Sequence, residues 1–521
     1  MSENETKTIQ PIQRMIRVAE GAIEGVPAGN PNFTVFKGVP FAKPPVGDLR
    51  WRPAQPPEKR EGTLRCDHFA PVAWQREQEV GGFYQKEFWN VGVPMSEDCL
   101  YLNIWTPDTT GEKRLPILFW IHGGGYEVGY SYEMEFDGEA ICRRDCILVS
   151  VPYRLGALGF FAHPGLSAQD PDGVSGNYGL TDCVQALRWV RDNAHAFGGD
   201  PDRVTIFGQS AGGGMVQALA TCPPARGLFA RAIVQSAGGI GFMGRDNGLA
   251  EMEKFGEQAC EAAGVGLEEL LAMSGKEAME AVMRGARAVR GGGLHMFPCA
   301  DGRYQPRAAG AAIAANEHAD VDYMTGTVSG DGALFGSRTV ETVEEYEEQI
   351  RTRYGAYADD YLALFDVQGA EDLKRLNAVR ARVEPLLTPR TWATAETRPE
   401  RGRKPMHVYH FNRQMPGDDA GAFHSSELWY VFGTLDRCWR SLVPGFVPED
   451  YQLSRRMTDY WTNFAKTGDP NGPTVPEWPA FTSEQPVAMV FNERETAPHD
   501  FAGDKILDGL VKLQLKQALG E

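Results

Sequence analysis

The segment Leu115-Pro-Ile-Leu-Phe-Trp-Ile121 is a nearly unbroken apolar run that ends in His122-Gly-Gly-Gly125. That is the pattern of a strand buried on both faces that opens into a loop. Residues 146–151 repeat it. Between residues 182 and 197 the apolar positions Val184, Leu187, Trp189 and Val190 recur at helical spacing, and Gly198-Gly-Asp-Pro201 stops the helix. Residues 204–207 then predict a strand running directly into Gly208-Gln-Ser-Ala-Gly-Gly213, followed by a helical stretch over 215–221. Residues 230–235 and 323–328 add two further short strands. Strands alternating with helices predict a parallel sheet.

Around this centre the pattern changes. Residues 16–41 read as short strands with turns, and the Pro-rich stretch PPVGDLRWRPAQPP then crosses the surface as a loop. Over 251–286 and again over 340–383 the chain is helical in composition and strongly charged, which predicts cap or lid insertions. Residues 505–519 have the spacing of a terminal helix. No internal repeat or low-complexity tract interrupts residues 1–521, which read as one catalytic domain built on a single sheet.

The net charge of −18 argues against a nucleic-acid or anionic-membrane binder, which needs a prominent basic footprint. The short cluster Arg398, Arg401, Arg403 and Lys404 is broken by Pro, Glu and Gly and reads as a solvated loop. No window approaches the roughly 20 apolar residues of a membrane span. The N-terminus lacks a basic start and apolar stretch, so the chain reads as cytoplasmic, a secreted form with its leader removed staying compatible. Nine cysteines, with no C-x-x-C pair and no compact Cys/His cluster, argue against a zinc site. No metal or organic cofactor is implied.

Gly208-Gln209-Ser210-Ala211-Gly212 fits G-x-S-x-G, in which small neighbours let a tight strand-to-helix turn hold a serine hydroxyl above a sheet. The predicted strand before it and helix after it supply the context that the three fixed letters alone lack. His122-Gly-Gly-Gly125 is the kind of loop whose backbone N–H groups stabilise a developing oxyanion in lipases and esterases. Its donors here are Gly124 and Gly125, joined by Ala211 after the serine. A nucleophile of this kind needs an acid and a histidine farther along the chain. His295, His318, His407, His410, His424 and His499 all follow Ser210, and spacing does not choose among them.

FKGVPFAKPPVGDLRW, SEDCLYLNIW, HGGG, NYGLTDC, FGGDPDRVTIFGQSAGG and YWTNFAKTGDPN occur in this order, and from about residue 35 to 491 the chain resembles the type-B carboxylesterase and cholinesterase family. The resemblance implies an α/β-hydrolase fold: a large, mostly parallel twisted sheet flanked by helices, with helical cap insertions. It also implies Ser210 as nucleophile, His424 of His424-Ser-Ser-Glu427 as base, and Asp331 of Thr327-Val-Ser-Gly-Asp331 as the acid, where relatives more often carry Glu. Arg50 and Glu97 match a family ion pair, Cys66 and Cys99 match the family's first disulfide, and Ser236 matches a supporting serine near the triad.

The departures bear on substrate. Gln209 stands where relatives usually carry Glu, which removes negative field beside the site and argues against a choline ester. Trp89 matches the family's cation-binding tryptophan, although packing or an apolar wall is the simpler role. Arg290-Gly-Gly-Gly-Leu294-His-Met-Phe297 occupies the acyl-pocket stretch and is glycine-rich, which with Trp429 implies a roomy apolar pocket. The expected partner is thus a small, neutral ester cleaved through an acyl-enzyme. A lipase and a non-catalytic binding module are the alternatives, and the charged insertions and complete set of reacting groups argue against each in turn.

Overall fold

The computed structural model describes residues 12–240, 248–331, 340–365, 367–443 and 445–519. Eleven of the described strands form one sheet. In chain order they are β1 (Val26–Pro27), β2 (Thr34–Pro40), β3 (Tyr101–Thr106), β4 (Leu115–Ile121), β5 (Ile147–Val151), β6 (Gly199–Gln209), β7 (Arg231–Gln235), β8 (Asp322–Val328), β9 (His407–Phe411), β10 (Val487–Phe491) and β11 (Thr496–Asp500). Across the sheet the order is β11-β10-β9-β8-β7-β6-β4-β5-β3-β2-β1. From β10 to β5 every pair is parallel, while β11 and the β3-β2-β1 side are antiparallel. This is the α/β-hydrolase architecture expected.

Every residue of β4 is buried because helices cover both faces of the sheet. Ile117, Phe119 and Ile121 point into one core, shared with Leu180, Val184 and Leu187 of the helix Tyr178–Asn193. Leu118 and Trp120 point into the other, shared with Met457, Trp461 and Phe464 of the helix Pro448–Thr467. The two-residue period of a strand thus divides one apolar run between two layers.

Sequence patterning missed β3, β9, β10, β11 and the helix Pro448–Thr467. The β9 sequence HVYHF looks polar at two of five positions, yet both histidines are buried, and burial pushes each down to about 4. A neutral imidazole packs as an aromatic ring: His407 meets Trp478 edge-on at 5.8 Å. Strands of this kind are hidden from a reading that counts histidine as charged.

The two charged stretches expected as a cap differ from one another. The first forms the helices Leu249–Ala263, Leu267–Ala272 and Gly275–Arg290, the first and last packed together. The second includes the helix Ala370–Glu396, which runs past residue 383 through Pro385 and Pro389. It packs on β8, β9 and the helix Lys505–Leu519. The prolines are four apart and both buried, so the two missing N–H donors fall on one helix face. No helix among the described residues is long and apolar enough to cross a membrane.

Arg50 and Glu97 form a two-armed ion pair, with Nε–Oε1 at 2.5 Å and Nη2–Oε2 at 2.9 Å. The remaining Arg50 nitrogen donates to the carbonyls of Leu270 (3.3 Å) and Met273 (2.8 Å), so the pair also clamps the first helical insertion. Glu97 sits against the N-terminus of Gly275–Arg290, where a Cβ on Gly275 would lie 2.0 Å from its carboxyl carbon. Glycine makes that approach possible, and the helix dipole favours the carboxylate there. Arg50→Ala leaves this nearly buried carboxylate unpaired and should cost about 3 kcal/mol in urea unfolding. The double variant Arg50→Met/Glu97→Leu should recover part of that loss; an Arg50→Ala midpoint equal to wild type would contradict the clamp.

Candidate active site

The parallel register of β4 and β6 pairs Ile121 with Gly208, so the His122-Gly-Gly-Gly loop and the turn at Ser210 leave the sheet side by side. Ser210 has φ 56° and ψ −127°, a left-handed conformation costly for a residue with a side chain. The flanking glycines allow it. A Cβ on Gly208 would lie 2.5 Å from the Gly212 carbonyl group, and one on Gly212 would lie 2.0 Å from the Ile121 oxygen. The Ser210 N–H donates to the Gln235 carbonyl (2.9 Å), and its own carbonyl accepts from Gly214 (2.9 Å) to begin the helix Ala211–Thr221. The serine is thus held at the carboxyl edge of the sheet, where open α/β sheets bind ligands.

The glycine loop approaches closely: a Cβ on Gly123 would stand 3.2 Å from the Ser210 Cβ. Gly124 (φ 96°) and Gly125 (φ 63°) take conformations that glycine adopts freely. The N–H groups of Gly124, Gly125 and Ala211 donate to no other group among the described residues. His122 anchors the loop. Its Nδ1–H donates to the Gly123 carbonyl (2.9 Å), its ring stacks on Tyr153 at 4.6 Å, and burial pushes it down to about 4, keeping it neutral.

Asp331 lies three residues beyond β8, and its Oδ1 is 2.7 Å from His424 Nδ1. The Thr327 hydroxyl donates to the other carboxylate oxygen. Burial alone would raise the Asp331 carboxyl, but the His424 charge and hydrogen bond, with the Thr327 and Ser236 hydroxyls, outweigh it and hold the group below its ordinary value. Ser236 is buried at φ 47°. Its hydroxyl is among the groups that hold Asp331 down. Against the imidazole, Gln209 Nε2 lies 3.1 Å from His424 Nε2 and 3.5 Å from its Nδ1, over the ring face, and Gln209 Oε1 accepts from the Ser425 hydroxyl at 3.0 Å.

The structure also separates the six histidines that spacing left open. His407 and His410 sit within β9, and His318 is tied to Glu396 at 3.0 Å. His295 donates from Nε2 to the Gly291 carbonyl at 2.9 Å, and His499 is exposed. His424 alone of the six meets both Asp331 and the residue before Ser210.

The expected pocket residues divide. Leu294 is 39% exposed and lies over the glycine loop, 2.8 Å from where a Gly125 Cβ would be. Trp89 borders a cavity of about 180 Å³ with Val72, Val91 and Tyr130. Gln209 is buried against His424 rather than forming a wall. Trp429 is a correction: it is wholly buried, stacked on Phe88 at 5.8 Å, and presents no surface to a ligand. Its place in the chain, five residues after His424, had suggested otherwise, but the short helix Leu428–Val431 turns it into the core. Cys66 and Cys99 are buried free thiols, like the other seven cysteines. Burial pushes Cys66 up to about 12 and also raises Cys99.

Thr327, Ser425 and Glu427 were present in motifs without an assigned role. Their contacts depend on which residues the strand ends bring together, and no local pattern announces them. Glu427 is fully buried; its Oε1 is 3.4 Å from Gln235 Nε2 and from the Tyr409 hydroxyl, and its Oε2 has no hydrogen bond among the described residues.

The fold and this arrangement define an α/β-hydrolase. A family model described as the carboxylesterase family matches residues 12–506. A fumonisin B1 esterase from Sphingopyxis macrogoltabida is 33% identical over 476 residues, covering 88% of this chain and 83% of that protein. A para-nitrobenzyl esterase from Bacillus subtilis (strain 168) is 31% identical over 482 residues, 90% of this chain and 93% of its own. A solved thermophilic PNB esterase superposes with a TM-score of 0.80 at 28% identity, over 96% of this chain and 100% of its own. The chain belongs to the carboxylesterase family and is a carboxylic ester hydrolase.

Burial and the adjoining Asp331 charge push Glu427 up to about 7. A carboxyl raised on folding binds more protons in the native than in the unfolded state, so stability falls as pH rises from about 4.5 to about 7 and stays lower above. Glu427→Gln keeps the shape without the charge. Its melting temperature should therefore change less between pH 5 and pH 8 than that of wild type, and an unchanged pH dependence would place the charge elsewhere.

Proposed function

We propose that the protein hydrolyses small, neutral, mostly apolar carboxylic esters through an acyl-enzyme, with Ser210, His424 and Asp331 as the catalytic triad. The observation that carries this reading is the single line of contacts from Asp331 Oδ1 through His424 to the strained turn that holds Ser210. Ser210 Oγ attacks the ester carbonyl while His424 Nε2 takes its proton. Asp331, hydrogen-bonded at Nδ1, sets the tautomer and stabilises the imidazolium. The free N–H groups of Gly124, Gly125 and Ala211 receive the oxyanion. Collapse expels the alkoxide, which leaves with the proton from His424. Water then attacks the acyl-enzyme by the same route in reverse roles, releasing the acid and restoring Ser210.

The substrate class rests on the uncharged Gln209 beside the histidine and on Leu294 with its glycine neighbours near Gly125. Neither offers a fixed charge to a cationic alcohol, and side chains are sparse where an acyl group would lie. We read residues 1–521 as one catalytic domain.

Hydrolysis of p-nitrophenyl acetate, butyrate and octanoate tests both parts. Wild type should turn over butyrate at least as well as acetate, and Ser210→Ala should lose on the order of a thousandfold or more in kcat with an unchanged far-ultraviolet circular dichroism spectrum. Activity retained by Ser210→Ala would sink the nucleophile assignment; turnover of acetate alone would sink the open acyl side.

A further inference from the structure

The chain that leaves the glycine loop turns back on itself, and side chains from elsewhere hold its return. The Gly124 carbonyl accepts from the N–H groups of Glu127 (3.1 Å) and Val128 (3.0 Å), which closes a single turn. The peptide between Val128 and Gly129 forms the back of that turn. Its carbonyl oxygen lies so close to Gly124 that a Cβ on that glycine would overlap it. A trans peptide points its C=O and N–H in opposite directions, and here the far-side N–H, that of Gly129, donates to Gln75 Oε1 at 2.8 Å. Gln75 Nε2 donates in return to the Gly129 carbonyl at 2.9 Å.

A backbone N–H only donates and a carbonyl only accepts, so these two bonds fix which end of the amide is which. The side chain thereby pairs with Gly129 as a neighbouring strand would, across 54 positions of the chain. Gln75 is buried, and a further bond from Nε2 to the Ala73 carbonyl (3.2 Å) holds the amide in place. On its other side Gly129, at φ 99°, backs onto the start of the glycine loop: a Cβ there would stand 2.9 Å from His122 Nδ1 and 3.0 Å from the Gly123 oxygen. The next N–H, that of Tyr130, donates to Glu133 Oε1 at 2.9 Å. Gly129 is thus wedged between the Gln75 amide and the loop that carries the free N–H groups.

We propose that Gln75 is a positioning residue for ester hydrolysis: by holding the Val128–Gly129 peptide against Gly124, it aims the N–H groups of Gly124 and Gly125 at the oxyanion. The proposal rests on the reading of those N–H groups as the oxyanion donors. Such donors work because they are aimed before the charge develops, and a misplacement of about 1 Å costs on the order of a hundredfold in rate. Glycine has no side chain by which its neighbours could restrain it, so the restraint on Gly124 comes from the peptide behind it. Both Nε2 hydrogens of Gln75 are committed, to Gly129 and to Ala73. The residue therefore has no donor left for the oxyanion and acts only through the backbone.

The test compares wild type with Gln75→Met, which fills the space without either hydrogen bond, and with Gln75→Asn, whose shorter amide reaches only one of the two groups. The readings are kcat and KM for p-nitrophenyl butyrate and the inhibition constants of butyl trifluoromethyl ketone and butyl methyl ketone. Ser210 Oγ adds to the carbonyl carbon of the fluorinated ketone, the π pair moves to oxygen and the serine proton to His424, which gives a tetrahedral oxyanion. The methyl ketone has the same chain and stays a ketone. Gln75→Met should lose about ten- to a hundredfold in kcat with KM within about threefold of wild type. The fluorinated ketone should weaken by the same factor and the methyl ketone should not, with Gln75→Asn between Gln75→Met and wild type on each reading. A purely structural role would lower the melting temperature and leave kcat and the ratio of the two inhibition constants as in wild type. A folded Gln75→Met with wild-type kcat overturns the proposal, as does a loss confined to KM with both ketones weakened alike; if Gln75→Met does not fold, Gln75→Asn decides by the same readings. A folded wild type that hydrolyses no ester and gains no affinity from the fluorines overturns the oxyanion assignment instead, and the two failures are therefore distinct.

Discussion

The register between β4 and β6 is the constraint on which the rest of this site depends. Pairing Ile121 with Gly208 makes two loops leave the sheet at one point, one carrying N–H donors and the other a serine. A side chain at Gly208, Gly212 or Gly124 would drive backbone into backbone at 2.0 to 2.5 Å. The closeness of the two loops is what demands glycine. The unfavourable conformation of Ser210 is held by strands buried on both faces, whose two cores cannot shift without loss of packing.

Charge in the site is arranged by burial as much as by pairing. Asp331 keeps its ionised form because hydrogen bonds and His424 outweigh desolvation, while Glu427, with two long contacts and an unmet oxygen, is pushed the other way. Two nearby carboxyls thereby take opposite protonation tendencies, which limits repulsion between them. His122 and the β9 histidines are held neutral by burial; His407 packs as a ring, and His122 also donates a hydrogen bond, rather than any of them serving as a cation.

The first helical insertion is bound to the sheet end by the Arg50–Glu97 clamp, and the same insertion leads into the segment that sets Leu294 over the glycine loop. The stretch that carries Leu294 is in this way tied to an ion pair remote in sequence. The long helix Ala370–Glu396 packs against β8 and β9.

Residue order alone determined the strand-turn-helix at Ser210, the glycine loop after β4 and the alternation that makes a parallel sheet, and family motifs singled out Asp331 and His424, which the structure places in contact. Those features are legible because they depend on local requirements: glycine where a Cβ has no room, and apolar runs where both faces are covered. Histidine-bearing β9, the inward turn of Trp429, the bridge from Ser425 to Gln209 and the unmet carboxyl of Glu427 were decided only by tertiary structure. In each, the property comes from a neighbour more than a hundred residues away or from burial, which no local window contains: Ser425 meets Gln209 across 216 positions of the chain because parallel strands deliver their ends to one edge.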